Sequence, residues 1–261
     1  MQIPLPHKPV FTSTGDNAGV FNIEGLYPGY GITLGNALRR VLLSSLRGAA
    51  VTSFKIEGVD HEFSTIPGVL EDVIQIMLNL KKLRIKLLSD GPETLYIHTK
   101  GEKEITGNDI EKNPNVEIIN SDLVLMTVTD KKTTITMEIV VERGRGYQTS
   151  ETMQKEKLPI GMVAIDAIFT PVQKVRDSVE NMRVGERTDF NRLLLALETD
   201  GSITPEQAFE DAVNILISQF GALVHETENE ALGMMSEESK EPEENGEDSE
   251  IKTKKEKKAK K

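Results

Sequence analysis

The chain has 261 residues, 38% of them apolar and 28% charged, which fits one or two globular units. It contains no Cys, so a disulfide framework, a thiolate zinc site, an iron–sulfur cluster and a cysteine nucleophile are excluded. A net charge of −11, with no Trp and 5% aromatic residues, argues against a dedicated nucleic-acid-binding domain.

The opening MQIPLPHKPVF lacks the charged-then-apolar pattern of a secretory signal. Residues 21–26 read as a short strand, broken by Pro28-Gly29-Tyr30-Gly31. Thr33 is then placed to cap a helix through Leu46, with Leu34, Ala37, Leu38, Val41 and Leu42 at helical spacing and Gly48 ending it. Residues 51–56 alternate as a strand does. A second helix is expected from about 68 to 80. One apolar row holds Val69, Val73, Ile76, Met77 and Leu80, and a second holds Leu70, Ile74 and Leu78, so burial over a wide arc is expected.

Residues 83–88 and 94–99 flank Asp90-Gly91-Pro92, a hairpin signal. Residues 123–129 and 133–141 flank Asp130-Lys131-Lys132, and Ile135, Met137, Ile139 and Val141 alternate cleanly onto one face. Residues 162–169 read as a further strand, and 172–184 with 192–199 as a long antiparallel pair. Thr204-Pro205-Glu206-Gln207 carries the capping-box pattern. The helix after it repeats Phe209, Val213, Leu216, Phe220 and Leu223, a stripe suited to a partner helix in a second copy.

Residues 237–250 hold eight acids and one Lys, and 252–261 hold seven Lys and one Glu. So few of these side chains can be buried that 233–261 is expected to be a disordered acidic-then-basic tail. The longest apolar run is five residues, 193–197, too short to span a membrane. The pattern as a whole is α+β. Strand followed by long helix recurs in the first and last thirds, and short strands fill the middle. This suggests a discontinuous domain with a second domain inserted into it.

The chemistry-bearing patterns are sparse. Gly29, Gly31 and Gly35 lie near a helix N-terminus, where backbone N–H groups can cradle an anion, but the spacing matches neither a dinucleotide fingerprint nor a P-loop. Tight turning and close packing by glycine are the expected role of these residues. His7, His61, His98 and His225 share no metal spacing, and HEFST at His61 lacks the second His of a zinc-protease helix. Asp and Glu form no DxD-like cluster for two-metal chemistry. ERGRGY, residues 142–147, reads as a strand end turning into a loop rather than a phosphate contact. The residues alone therefore describe a dimeric α+β assembly protein.

Longer blocks add a family. PGYGITLGNALRRVLLSSLRGAAVTSFKIEGVDHEFSTIPGVLEDV, ERGRGY and AIDAIFTPVQKVRDSVENMRVGERTDFNRLLLALETDGSITPEQA resemble the amino-terminal domain of the bacterial RNA polymerase alpha-subunit family, in co-linear order over about residues 1–230. The resemblance implies a dimerisation domain at 1–48 and 171–232, with an inserted α+β domain at 49–170. It implies a homodimer joined through the first and last helices, here at Leu38, Leu42, Phe209, Val213, Leu216 and Phe220.

That dimer would be the platform for the beta and beta-prime large subunits. The first is implied to dock near Arg39, Arg40, Ser44, His61, Glu62, Phe63, Ser64 and Thr65. The second is implied to dock near Asp166, Ala167, Ile168 and Arg192. No catalytic residue, metal ligand or cofactor is implied for this chain. The catalytic Mg²⁺ belongs to the large subunits, and sigma factor and omega are met only through the holoenzyme. The location implied is cytoplasmic. The family also implies a second domain that reads promoter DNA through a helix–hairpin–helix. No such pattern follows Leu232, so DNA contact is not expected of this chain. Two alternatives stand beside this reading: a free-standing dimeric transcription regulator with the same fold, and a small enzyme that uses the glycine turn and the Arg pair on a phosphate-bearing substrate.

Overall fold

The computed structural model of the chain describes residues 3–59, 61–154, 159 and 161–223. In order these form β1 (Val10–Gly15), β2 (Ala18–Leu26), α1 (Tyr30–Ser44), β3 (Arg47–Ile56), α2 (Val73–Leu80), β4 (Ile85–Leu87) and β5 (Glu93–Lys100). There follow β6 (Lys103–Thr106), β7 (Val116–Ile118), β8 (Val124–Val128), β9 (Thr134–Arg145), β10 (Tyr147–Gln148) and α3 (Ser150–Gln154). The chain then continues through β11 (Val163–Ala164), β12 (Ala167–Ile168), β13 (Val172–Val184), β14 (Arg187–Thr199) and α4 (Pro205–Gly221). The tail expected at 233–261 lies outside the described residues.

Two apolar cores organise these elements. The first lies on a four-stranded antiparallel sheet ordered β1-β2-β14-β13. Leu193, Leu195 and Leu197 alternate onto one face, opposite Ile23, Phe21 and Gly19 of β2. α1 covers this face with Leu38 and Leu42, and α4 with Ala208, Phe209 and Ala212. The Phe209 ring stacks on Phe21 at 4.2 Å. Leu42 is wholly withdrawn from solvent, and burying such a side chain contributes about 1.5–3 kcal/mol. The long pair expected at 172–184 and 192–199 is present as β13 and β14, and β14 begins five residues earlier than expected, at Arg187.

The second core lies against a sheet ordered β5-β9-β3-β4-β7, with β11 added to β3. Ile135, Met137, Ile139 and Val141 of β9 all point into it, as their alternation predicts. Val73, Ile76 and Leu80 of α2 close the other side. Asp72 caps α2 by accepting the Gln75 N–H at 2.7 Å.

Local reading fails where tertiary contacts intervene. α1 starts at Tyr30 and ends at Ser44, not at Thr33 and Leu46. Its N-cap is Gly29 at φ 89°, a left-handed conformation that suits glycine, and Thr33 instead donates its hydroxyl back to the Gly29 carbonyl. Gly48 does not end the helix. It lies in β3, where a Cβ would clash with the Phe169 carbonyl oxygen, and Gly144 opposite it would meet the Phe169 ring. α2 is shorter than expected, and its second apolar row is not buried: Leu70 and Leu78 are exposed and Ile74 is half-buried.

The flanks of Asp90-Gly91-Pro92 do not form a hairpin. β4 pairs with β3 and β7, and β5 pairs with β9. The strand expected at 162–169 is split into β11 on β3 and β12 on β10. Ile165, buried between them, and Asp166, held by side-chain ties, turn the chain.

Candidate functional site

α1 divides its sides by chemistry. Leu38 and Leu42 face the core, and Arg39, Arg40 and Ser44 face out. The helix start is held by one side chain: Asn191 Oδ1 accepts the Gly29 N–H at 2.9 Å and the Gly31 N–H at 3.4 Å. A Cβ on Gly31 would stand 2.7 Å from Val179 Cγ1, so the glycine turn is packed as well as capped. The Gly29 and Gly31 N–H groups, two of those that could cradle a phosphate, are therefore engaged inside the chain.

Next to this turn, Arg187 lies over the rings of Tyr27 and Phe190, at 5.4 and 5.3 Å, and donates to both carboxylate oxygens of Asp189. Hydrogen bonding to Asp189 raises the Arg187 pKa, and Arg187 lowers that of Asp189.

The first group of candidate residues lies on two elements. On α1, Arg39 pairs with Asp177 of β13 at 3.3 Å, and the Ser44 hydroxyl donates to the Arg40 carbonyl at 2.7 Å. Arg40 forms no ion pair among the described residues. The loop after β3 carries the rest. Ser64 bonds His61 twice, through Oγ to Nδ1 at 3.1 Å and through its N–H to the His61 carbonyl at 3.1 Å. The Ser64 carbonyl in turn accepts the Val73 N–H, and buried Ile66 anchors the loop. His61 is thus a locally bonded loop residue. Phe63 and Thr65 are exposed, Glu62 is half-buried, and Phe63 keeps 75% of its surface. No hydrogen bond or ion pair joins the α1 residues to the loop residues among those described.

The second group is also divided. Asp166 accepts the Ser150 N–H at 2.8 Å and a Lys81 Nζ hydrogen bond at 3.0 Å. The Ser150 backbone bond first, then Lys81, holds its carboxyl at about 2, well below the usual range. Ala167 is buried with Ala50 and Phe169, and Ile168 is exposed opposite Tyr147. Arg192 lies on the other sheet, bonded to Glu24 at 3.0 Å and facing Glu180 at 3.9 Å. It forms no ion pair with Asp166.

The residues expected at a homodimer interface differ in how much surface they keep. Leu38, Leu42 and Phe209 are buried in the chain's own core, and Val213 and Leu216 pack half-buried against it. The first three have little surface left outside that core, and Val213 and Leu216 keep part of theirs. Phe220 is 58% exposed, and Ile217 on α4 with Ile32 and Leu43 on α1 are exposed apolar side chains that the pattern did not single out.

Sequence reasoning also missed Lys81, Arg187 and Asn191. Their partners are 85, 2 or 160 and more positions away. Only the Arg187-Thr188-Asp189 spacing was visible locally.

A groove of about 540 Å³ floored by Leu95, Ile110, Val116 and Ile118 shares no residue with either candidate group. Among the described residues no set of three or more His, Cys, Asp or Glu is placed to hold a metal ion. No described helix is long and apolar enough to cross a membrane.

Residues 54–170 match the family model of the RNA polymerase Rpb3/RpoA insert domain. The DNA-directed RNA polymerase subunit alpha of Moorella thermoacetica is 50% identical over 213 residues, which take in 82% of this chain and 68% of that protein. That of Clostridium perfringens is 49% identical over 226 residues, 85% of this chain and 71% of the relative. That of Symbiobacterium thermophilum is 47% identical over 215 residues, 82% and 68%.

Proposed function

The chain belongs to the family of bacterial DNA-directed RNA polymerase alpha subunits, and from that premise we propose that it acts as a non-catalytic, dimeric platform for the two large subunits of the enzyme. The observation that carries this reading is the outward presentation of Arg40, Ser44 and Phe63 on elements pinned from behind by core residues. Rigid placement of exposed anchors is what a docking surface needs.

In this reading Arg39, Arg40, Ser44 and residues 61–65 meet the first large subunit, and Asp166, Ile168 and Arg192 meet the second. The catalytic Mg²⁺ is held by the large subunits, and the assembly works in the cytoplasm. Two copies pair through exposed apolar side chains, Ile32 and Leu43 on α1 and Ile217 on α4, which have surface left to bury, and Phe220 by itself offers a further one. The comparisons lend no support to the free-standing regulator.

The test is affinity purification of the tagged full chain from its own cells, with stoichiometry by mass spectrometry. Two copies with one of each large subunit are expected. A dimer that brings down no large subunit overturns the reading. Arg40→Ala is expected to leave the dimer intact and to lower recovery of the first large subunit.

A further inference from the structure

We propose that Arg47 and Arg145 form a clamp for a carboxylate-bearing segment of the first large subunit, an inference that rests on the assembly reading above. Arg47 on β3 and Arg145 on β9 are direct partners in the antiparallel ladder, and both side chains are exposed. Partners of this kind share a face, with Cβ atoms about 4.5–5.5 Å apart, and like charges there are destabilising. Two residues back along β9, Arg143 adds a third guanidinium to the same face, opposite the small side chain of Ala49. Arg143 is already engaged: it donates to Asp90 at 2.7 Å and to the Leu87 carbonyl. Neither Arg47 nor Arg145 has a carboxylate within 4 Å among the described residues.

The other face of the ladder is closed, because Phe169 lies against Gly48 and Gly144. The arginine side therefore faces outward with two unspent positive charges, in a chain whose net charge is −11. A guanidinium presents a planar fork that fits a carboxylate, so the pair suits acidic side chains of a docked peptide segment. A long polyanion such as nucleic acid would meet the repulsion of the acidic remainder.

The position also fits a docking site. A Cβ on Gly146 would stand 3.5 Å from the Ser44 carbonyl, so the arginine row ends beside the C-terminus of α1, which carries Arg40. Tyr147, which is exposed, lies two residues after Arg145 and supplies apolar surface next to the charge.

The test uses the tagged full chain with Arg47→Gln, Arg145→Gln and the double variant, purified from the cells of origin. Relief of the like-charge pair should leave the melting temperature unchanged or raised, so lost folding cannot explain lost docking. Recovery of the first large subunit should fall about tenfold in the double variant, and the wild-type recovery should fall as salt rises. If the wild type recovers the large subunit and the double variant recovers it equally, the clamp is overturned and the assembly reading stands. If the wild type recovers no large subunit, the assembly reading falls and the clamp with it. If the double variant loses only binding to a labelled DNA duplex, the site is a phosphate site and the clamp is overturned.

Discussion

Asn191 Oδ1 accepts the Gly29 N–H at 2.9 Å, so a side chain from β14 caps α1 across 162 positions of sequence. A helix start leaves several N–H groups without partners, and a neighbouring side chain usually supplies the cap. Here the cap comes from the sheet beneath the helix, so it also fixes how α1 enters its layer. Arg39, Arg40 and Ser44 owe their outward aim to that entry. Asn191→Ala should lower stability by about 1–2 kcal/mol, whereas Asn191→Asp, which keeps an accepting oxygen, should lose less than half as much. Denaturant titration followed by circular dichroism checks both.

The Phe169 backbone crosses Gly48 so closely that no side chain fits there. Gly48→Ala forces β3 or the Phe169 segment to move and should cost about 1–3 kcal/mol in thermal or chemical denaturation. Gly91→Ala is the matched control, because its Cβ would meet nothing within 4 Å, and it should be close to neutral. Equal effects at the two sites would contradict the close approach.

Asp166 is ionised and tied to Ser150 and Lys81 at neutral pH, with its carboxyl held at about 2. A carboxylate whose folded pKa is depressed stabilises the fold above its unfolded value of about 3.9, and that contribution is lost as pH falls toward the folded value. Asp166→Asn should therefore cost about 1 kcal/mol at pH 7, a figure discounted for partial exposure. The gap between variant and wild type should close between about pH 4 and pH 2. Urea midpoints measured across pH give the answer, and a gap that persists at pH 2 would rule out the carboxylate as its source.

Phe209 and Phe220 lie on one helix and should answer an Asp substitution in opposite ways. Phe209 is stacked on Phe21 inside the core, so Phe209→Asp should destabilise the chain by about 3 kcal/mol or more. Phe220 is exposed, so Phe220→Asp should leave the melting temperature near wild type while shifting the molecule from dimer to monomer. Sedimentation velocity separates the two results.

Much of the fold is legible one element at a time. The alternation of Ile135, Met137, Ile139 and Val141, the Thr204 cap that accepts the Gln207 N–H at 3.2 Å, and the long β13–β14 pair all follow from patterns within a few residues. The candidate docking residues were legible only through the family resemblance, since no local spacing marks Arg40 or Phe63 as an anchor. Arg145 lies in the ERGRGY block, but nothing in the sequence joins it to Arg47, because the two face each other across a ladder 98 positions apart.

Periodicity, the Thr204 cap and the family can be read from the order of residues, because each rests on a short stretch or on long co-linear blocks. The Gly29 start of α1, the pairing of strands, the burial of apolar rows and the charges left unspent depend on contacts between distant segments. β4 leaves β5 for β3 because sheet partners are chosen by burial against the whole core rather than by the turn between them. Phe209 of the α4 stripe finds Phe21 within its own chain for the same reason, and Phe220 stays exposed.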